Sequence, residues 1–136
     1  MKNRVFIAKN GVIQIDVVGD QTPESVRAIG REVMALVTAL RIQNRRVLIL
    51  DNLKELGKTD SATRHEVAVL ANQLYYDRAV MVGDSNPVMR YGTNLMLKAI
   101  GRSNLRYFAS FDAAWLWLNV PAPETIRERS QPKSRS

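Results

Sequence analysis

Residues 78–118 read RAVMVGDSNPVMRYGTNLMLKAIGRSNLRYFASFDAAWLWL, and their order decides the fold class. A short apolar run rich in β-formers, Ala79 to Val82, breaks at Gly83-Asp84 into a polar loop that contains Ser85, Asn86 and Pro87. An apolar pattern with helical spacing begins at Val88 and runs to about residue 101. A second strand near 105–109 and a final helix near 110–119 complete a strand, helix, strand, helix run. That alternation is the signature of an α/β domain.

Working back toward the N-terminus, RVFIAK and VIQIDVV flank Asn10-Gly11, a pair suited to the positive φ angles of a type I′ hairpin turn. Ile13, Ile15 and Val17 then share one face. Thr22-Pro23-Glu24 predicts a helix start with a capping hydroxyl, a proline where no amide donor is needed and an acid in the first turn. Val26, Ile29, Val33, Leu36, Val37 and Leu40 carry a 3.6-residue period to about Asn44. Arg46–Asp51 is a near-continuous apolar run, as expected of a parallel strand covered on both faces, with Asp51 at its C-terminal end. A helix beginning around Asp60-Ser61 follows, with Val67, Leu70, Ala71 and Leu74 on its buried face; Asp60 and Ser61 are both good caps, and Thr63 with Glu66 has capping-box spacing. The predicted order is β-β-α-β-α-β-α-β-α in one domain over residues 1–120, with a five-stranded, mostly parallel sheet covered by helices. Residues 121–136, PAPETIRERSQPKSRS, lose apolar periodicity and read as a flexible basic tail.

Composition removes several functional classes. The chain has 136 residues, no cysteine and one histidine, so disulfides and thiolate metal sites are excluded and a reducing, cytoplasmic setting is expected. The N-terminal apolar run stops at Lys9, too short for a signal peptide core or a membrane span. The net charge of +7 invites a nucleic-acid reading, but the charge is scattered. Its one tight basic pair in the body, Arg45-Arg46, suits a helix C-terminus, and no specific nucleic-acid motif is present.

Val82, Gly83, Asp84 and Ser85 before a helix, Arg106-Tyr107-Phe108 in the next strand, and Ala114, Trp117 and Leu118 in the last helix give the chain a resemblance to the SpoIIAA-like family, relatives of the STAS domain. The resemblance implies the same element order and a regulatory module that works through protein contact. In anti-sigma-factor antagonists of the STAS type, a D-S-S-G-like loop before the second helix carries a phosphorylated serine. The matching stretch here is Thr59-Asp60-Ser61-Ala62-Thr63, which implies Ser61, with Thr63, as the switch site; the glycine and the following apolar residue are replaced by Thr63 and Arg64. The family is also similar in topology to CRAL-TRIO lipid-binding domains.

In an open α/β sheet, ligands collect beyond the carboxyl ends of the parallel strands. Asp20-Gln21-Thr22, Asp51-Asn52, Asp60-Ser61 and Gly83-Asp84-Ser85-Asn86 all fall in such loops, and acids there suit Mg²⁺ and phosphate. No receiver-type lysine follows the last strand, no D-x-D nucleophile pattern falls at Asp16, and no Walker loop, dinucleotide fingerprint, G-x-S-x-G elbow or H-E-x-x-H pattern occurs. His65 reads as a solvent-facing helix residue. No catalytic residue, metal or cofactor is therefore assigned.

Met89, Met96, Leu97 and Ile100 exceed what one helix face needs, and Trp115 is one tryptophan more than the family position Trp117 supplies. Such a surplus serves a self-association patch or an apolar pocket. The leading expectation is a non-enzymatic regulatory or interaction module, homo-oligomeric, with loops 59–64 and 83–91 as its working edge. A domain binding a hydrophobic small molecule or lipid is the alternative, and a divergent Mg²⁺-dependent phosphotransfer fold comes third.

Overall fold

The structure, a computed structural model, describes residues 2–84, 97, 98 and 100–123. Its first element is the hairpin of β1 (Arg4–Ile7) and β2 (Ile13–Gly19), antiparallel with Ile7 opposite Ile13. Of the Asn10-Gly11 pair only Gly11 turns to positive φ, 88°. Ala8 accepts from the Gly11 amide at 2.9 Å and donates to the Val12 carbonyl at 2.8 Å. The connection is thus a three-residue loop ending in a left-handed glycine, in place of the expected type I′ turn. Asn10 uses its side chain instead, accepting from the Val12 amide at 3.2 Å and donating to the Pro121 carbonyl at 2.8 Å.

Helix α1 (Pro23–Ile42) begins where the Thr22-Pro23 signal places it. Thr22 and Ser25 satisfy each other's backbone amides at 3.1 and 2.9 Å, a reciprocal capping box. Val26, Ile29, Val33, Val37 and Leu40 are buried along one stripe. The helix ends at Ile42, and Asn44 takes the left-handed conformation that asparagine tolerates, φ 56°.

Strands β3 (Leu48–Leu56), β4 (Arg78–Val82) and β5 (Leu105–Phe108) join the hairpin in a five-stranded sheet of order β1-β2-β3-β4-β5. The first pair is antiparallel and the other three are parallel. Helix α2 (Ser61–Gln73) links β3 to β4, and α3 (Phe111–Leu118) follows β5. Of the helix expected over 88–101, residues 88–96 and 99 lie outside the described residues, while Leu97, Lys98 and Ile100 are helical and Gly101 caps them at φ 71°. Among the described residues no helix is long and apolar enough to cross a membrane.

The two faces of the sheet carry separate halves of the core. Ile13, Ile15, Val17, Ile49, Leu53, Ala79 and Met81 meet α1 on one side. Val12, Leu48, Leu50, Val80 and Val82 meet Ala114, Trp115 and Leu118 of α3 on the other. The unbroken burial of Leu48–Leu50 in β3 and Ala79–Val82 in β4 is what two-sided coverage requires.

Two sequence expectations need correction. Strand β3 does not stop at Asp51 but runs five residues further to Leu56, because Leu53 continues the buried alternation of Val47 and Ile49. The tryptophans exchange roles. Trp115 is 5 % exposed and shares the buried stripe with Ala114 and Leu118, so it is unavailable to a partner surface. Trp117 lies only partly buried, 6.2 Å from the Phe108 ring, with the guanidinium groups of Arg78 and Arg106 at 5.1 and 5.4 Å from its own ring centroid. Packing on this face continues to Ala122.

Gly57 holds the crossover from β3 against the end of β2. Its amide donates to the Gly19 carbonyl at 2.8 Å, and a Cβ on it would stand 2.3 Å from Asp20 Oδ1 and 2.8 Å from the backbone. Gly57→Ala is expected to lower the stability measured by urea denaturation by about 1–3 kcal/mol, the range of overpacked sites. An unchanged midpoint would mean that the β2 end is not held this closely.

A candidate binding cavity between the sheet and the second helix

Helix α2 leans on α1 more than on the sheet. At the α1–α2 contact Gly30 faces Leu70, and a Cβ on it would stand 2.7 Å from Leu70 Cδ1, so that the leucine side chain would have to shift. The other end of the consequence is a space beneath α2. Val67 and Leu70, whose spacing predicts a buried helix face, are only partly buried, and Thr63 alone among the α2 residues is fully so. Between them and the sheet lies a cavity of about 480 Å³, within the range that encloses small-molecule ligands.

Its floor is the α1-facing surface of the sheet, with Ile15 of β2, Ile49 and Leu53 of β3 and Met81 of β4; Ile29 of α1 and Ile100 close the sides. In this apolar setting one position breaks the pattern. Asp51 follows Ile49 on the same face of β3 and stands between Ile15 and Met81 in the register. Its Oδ1 is shut off from solvent and, among the described residues, has no hydrogen-bond partner, although part of the residue remains accessible. Burial, reinforced by the negative charge of Asp16, pushes the Asp51 carboxyl up to about 7. Asp16 itself belongs to the opposite face, where it accepts from Asn52 at 3.0 Å and from Gln14 at 2.9 Å.

Tyr76, 4 % exposed, supplies a second polar atom to the cavity lining, and its hydroxyl is likewise buried without a partner. The Arg102 guanidinium stacks 3.8 Å above its ring while donating to the Ala71 and Leu74 carbonyls, both at 2.9 Å. Burial raises the Tyr76 phenol above its ordinary range, and the Arg102 charge partly opposes this.

Thr59, Thr63, Arg64 and Asp84 also line the cavity. Asp60 is the helix cap: its carboxylate accepts from the Thr63 amide at 2.8 Å, and hydrogen bonding from the Thr63 side chain and then its amide, aided by the Arg64 charge, holds it below the usual carboxylate range. The alternative cap at Thr63 with Glu66 is not used. Thr63 is 1 % exposed, with its hydroxyl 3.4 Å from the Gln21 carbonyl, so a modifying enzyme does not reach it in the folded chain. Ser61 is exposed in the first turn of α2, and Arg64 beside it donates to Thr59 Oγ1 at 3.1 Å. Gly83 is buried under Tyr107, whose hydroxyl donates to the Asp84 carbonyl; a Cβ on Gly83 would stand 2.8 Å from that hydroxyl.

The strand-end acids do not gather. Asp51 sits within the sheet, Asp20 accepts from the Lys58 amide at 2.7 Å, and among the described residues no group of three His, Asp or Glu side chains is placed to hold a metal. His65 is exposed. Ser85, Asn86, Met89 and Met96 lie outside the described residues. Leu97 packs on the α1-side core and Ile100 is 7 % exposed in the cavity wall, so these two of the surplus apolar residues face inward.

No protein-family profile matches the chain, and no curated protein does. Solved structures share its fold, among them two that align over most of the chain. The anti-sigma factor antagonist SpoIIAA in its unphosphorylated form aligns with a TM-score of 0.51 and 15 % identity, over 86 % of this chain and 97 % of its own. An uncharacterised protein of the DUF3478 family with a SpoIIAA-like fold, from Shewanella loihica PV-4, aligns with a TM-score of 0.54 and 14 % identity, over 85 % and 91 %. At these identities the likeness establishes a SpoIIAA/STAS-like fold.

A raised carboxyl pKa makes the folded chain bind its proton more tightly than the unfolded chain, so Asp51 weakens folding progressively as pH rises from about 4 to 7 and fully above that. Asp51→Asn is therefore expected to raise the melting temperature at pH 8. The gain should shrink as pH falls through 7 and vanish near 4. A variant no more stable than the parent at pH 8 would place the carboxylate in water.

Proposed function

We propose that this chain is a non-enzymatic, SpoIIAA-like regulatory module that holds a mainly apolar small molecule in the cavity beneath α2. The observation that carries the reading is the cavity wall itself, a half-open space of about 480 Å³ lined largely by aliphatic side chains, with two buried polar atoms that have no partner among the described residues. Apolar enclosure with a few fixed polar groups is the usual composition of a ligand site. A core built only for stability would fill that volume, since empty space forfeits dispersion contacts.

The lining also explains how such a site serves regulation. Thr59, Thr63 and Arg64 belong both to the cavity and to the start of α2 around exposed Ser61, and Asp84 lines the cavity from the end of β4. A ligand that orders these residues alters the surface through which a STAS-like module would meet its protein partner, and phosphate on Ser61 would act at the same edge, beside a helix N-terminus and Arg64. The inward placement of Leu97 and Ile100 favours the pocket over a self-association patch.

The environment-sensitive dye N-phenyl-1-naphthylamine tests the reading directly. Saturable binding at one site is expected, with loss of at least about tenfold in affinity for Val67→Trp, whose indole occupies the cavity. A parent protein that shows no saturable binding would overturn the proposal.

A further inference from the structure

The cavity's polarity is one-sided, and this identifies the ligand's head group. Asp51 occupies a core position between Ile15 and Met81, its Oδ1 sealed from solvent and unpartnered. A carboxylate oxygen buried without a partner among the described residues favours a ligand group that donates hydrogen bonds, and a cation most of all, because a charged donor also offsets the penalty of burying the carboxylate. We propose, building on the small-molecule reading above, that the cavity takes an apolar molecule bearing a protonated amine, with the ammonium group on the Asp51 carboxylate.

The other charged and titratable groups around the cavity, among the described residues, are Arg64 from α2, Tyr76 before β4 and Asp84 after it. Helix α1 contributes Val26 and Ile29, and β2 contributes Ile15 and Val17. Asp16 acts from the opposite face of the sheet and adds to the negative potential at Asp51. Arg64 is exposed and engaged with Thr59 through both its carbonyl, at 3.0 Å, and its hydroxyl. It is the one described cation in the lining and the natural partner of a competing ligand class, an apolar carboxylate. Entry of a carboxylate would leave Asp51 unsatisfied and add a second negative charge, whereas an ammonium pairs the carboxylate and leaves the Arg64–Thr59 contacts in place.

Because about half of the Asp51 carboxyl is protonated at pH 7 and more of it below, an ammonium ligand must displace that proton. Amine affinity is therefore expected to rise roughly tenfold from pH 6 to pH 8, and calorimetry at pH 7 in buffers of different ionisation enthalpy should register release of about half a proton per amine bound.

Decylamine, 1-decanol and decanoate, each below its micelle-forming concentration, separate the possibilities on the full chain. At pH 8 decylamine should bind at least about tenfold more tightly than decanol, with decanoate weakest. Asp51→Asn should remove the amine's advantage and leave decanol within about twofold of its parental affinity. Should the variant not fold, proton release by the parent protein carries the test alone. Equal affinities, tightest binding of decanoate, or amine binding without proton release would overturn the amine assignment while leaving the cavity reading intact. Failure of all three probes to bind would overturn both.

Discussion

Strand β3 is flanked by strands on both edges and covered by helices on both faces, so each of its side chains must suit an enclosed environment or run out beyond the covering helices. Val47, Ile49 and Leu53 meet the α1 layer, and Leu48 and Leu50 meet the α3 layer. Asp51 falls inside this sequence of enclosed positions, and the parallel pairings to β2 and β4 hold its backbone in place. The strand cannot turn Asp51 outward without sliding by one residue, which would reverse every other side chain. The carboxyl is therefore fixed on the sheet side of the cavity, facing α2, by the same alternation that builds the core.

Such an arrangement persists only with space around it. A carboxylate pressed against close-packed methyl groups would be costly to ionise, while one at the wall of a cavity can meet a ligand or water. The α1–α2 contact through Gly30 and Leu70 positions α2 away from the strands. Glycine at residue 30 lets the two helices approach, and the volume withheld from packing appears beneath α2. Cavity and buried acid are thus two results of one geometry, which links a local sequence choice in α1 to a candidate binding site in β3.

Much of this fold is legible in the chain. The Thr22-Pro23 helix start, the period of α1 and the apolar run of β3 specify their elements because local propensity and burial agree there. Legibility fails where a local signal competes with tertiary contacts. Asn10-Gly11 favours a two-residue turn in isolation, yet the side-chain bonds of Asn10 to Val12 and Pro121 accompany a longer loop. Asp51 looks like punctuation after RVLIL, but Leu53 two residues later restores the alternation and marks the acid as an internal strand position. That spacing was a readable sign of the site. Tyr76 had none, since its burial beside Arg102 and across from α2 depends on how distant segments meet. The exchanged roles of Trp115 and Trp117 have the same origin: Arg78 and Arg106 arrive from two other strands to cover Trp117.

The central claim is that the Asp51 carboxyl lies at the cavity wall with its Oδ1 shut off from solvent and without a partner among the described residues. A carbon-13 NMR titration of its side-chain carboxyl reports this without substitution or ligand. The account predicts a midpoint near 7; a midpoint near 4, the ordinary aspartate value of about 3.9, would contradict it.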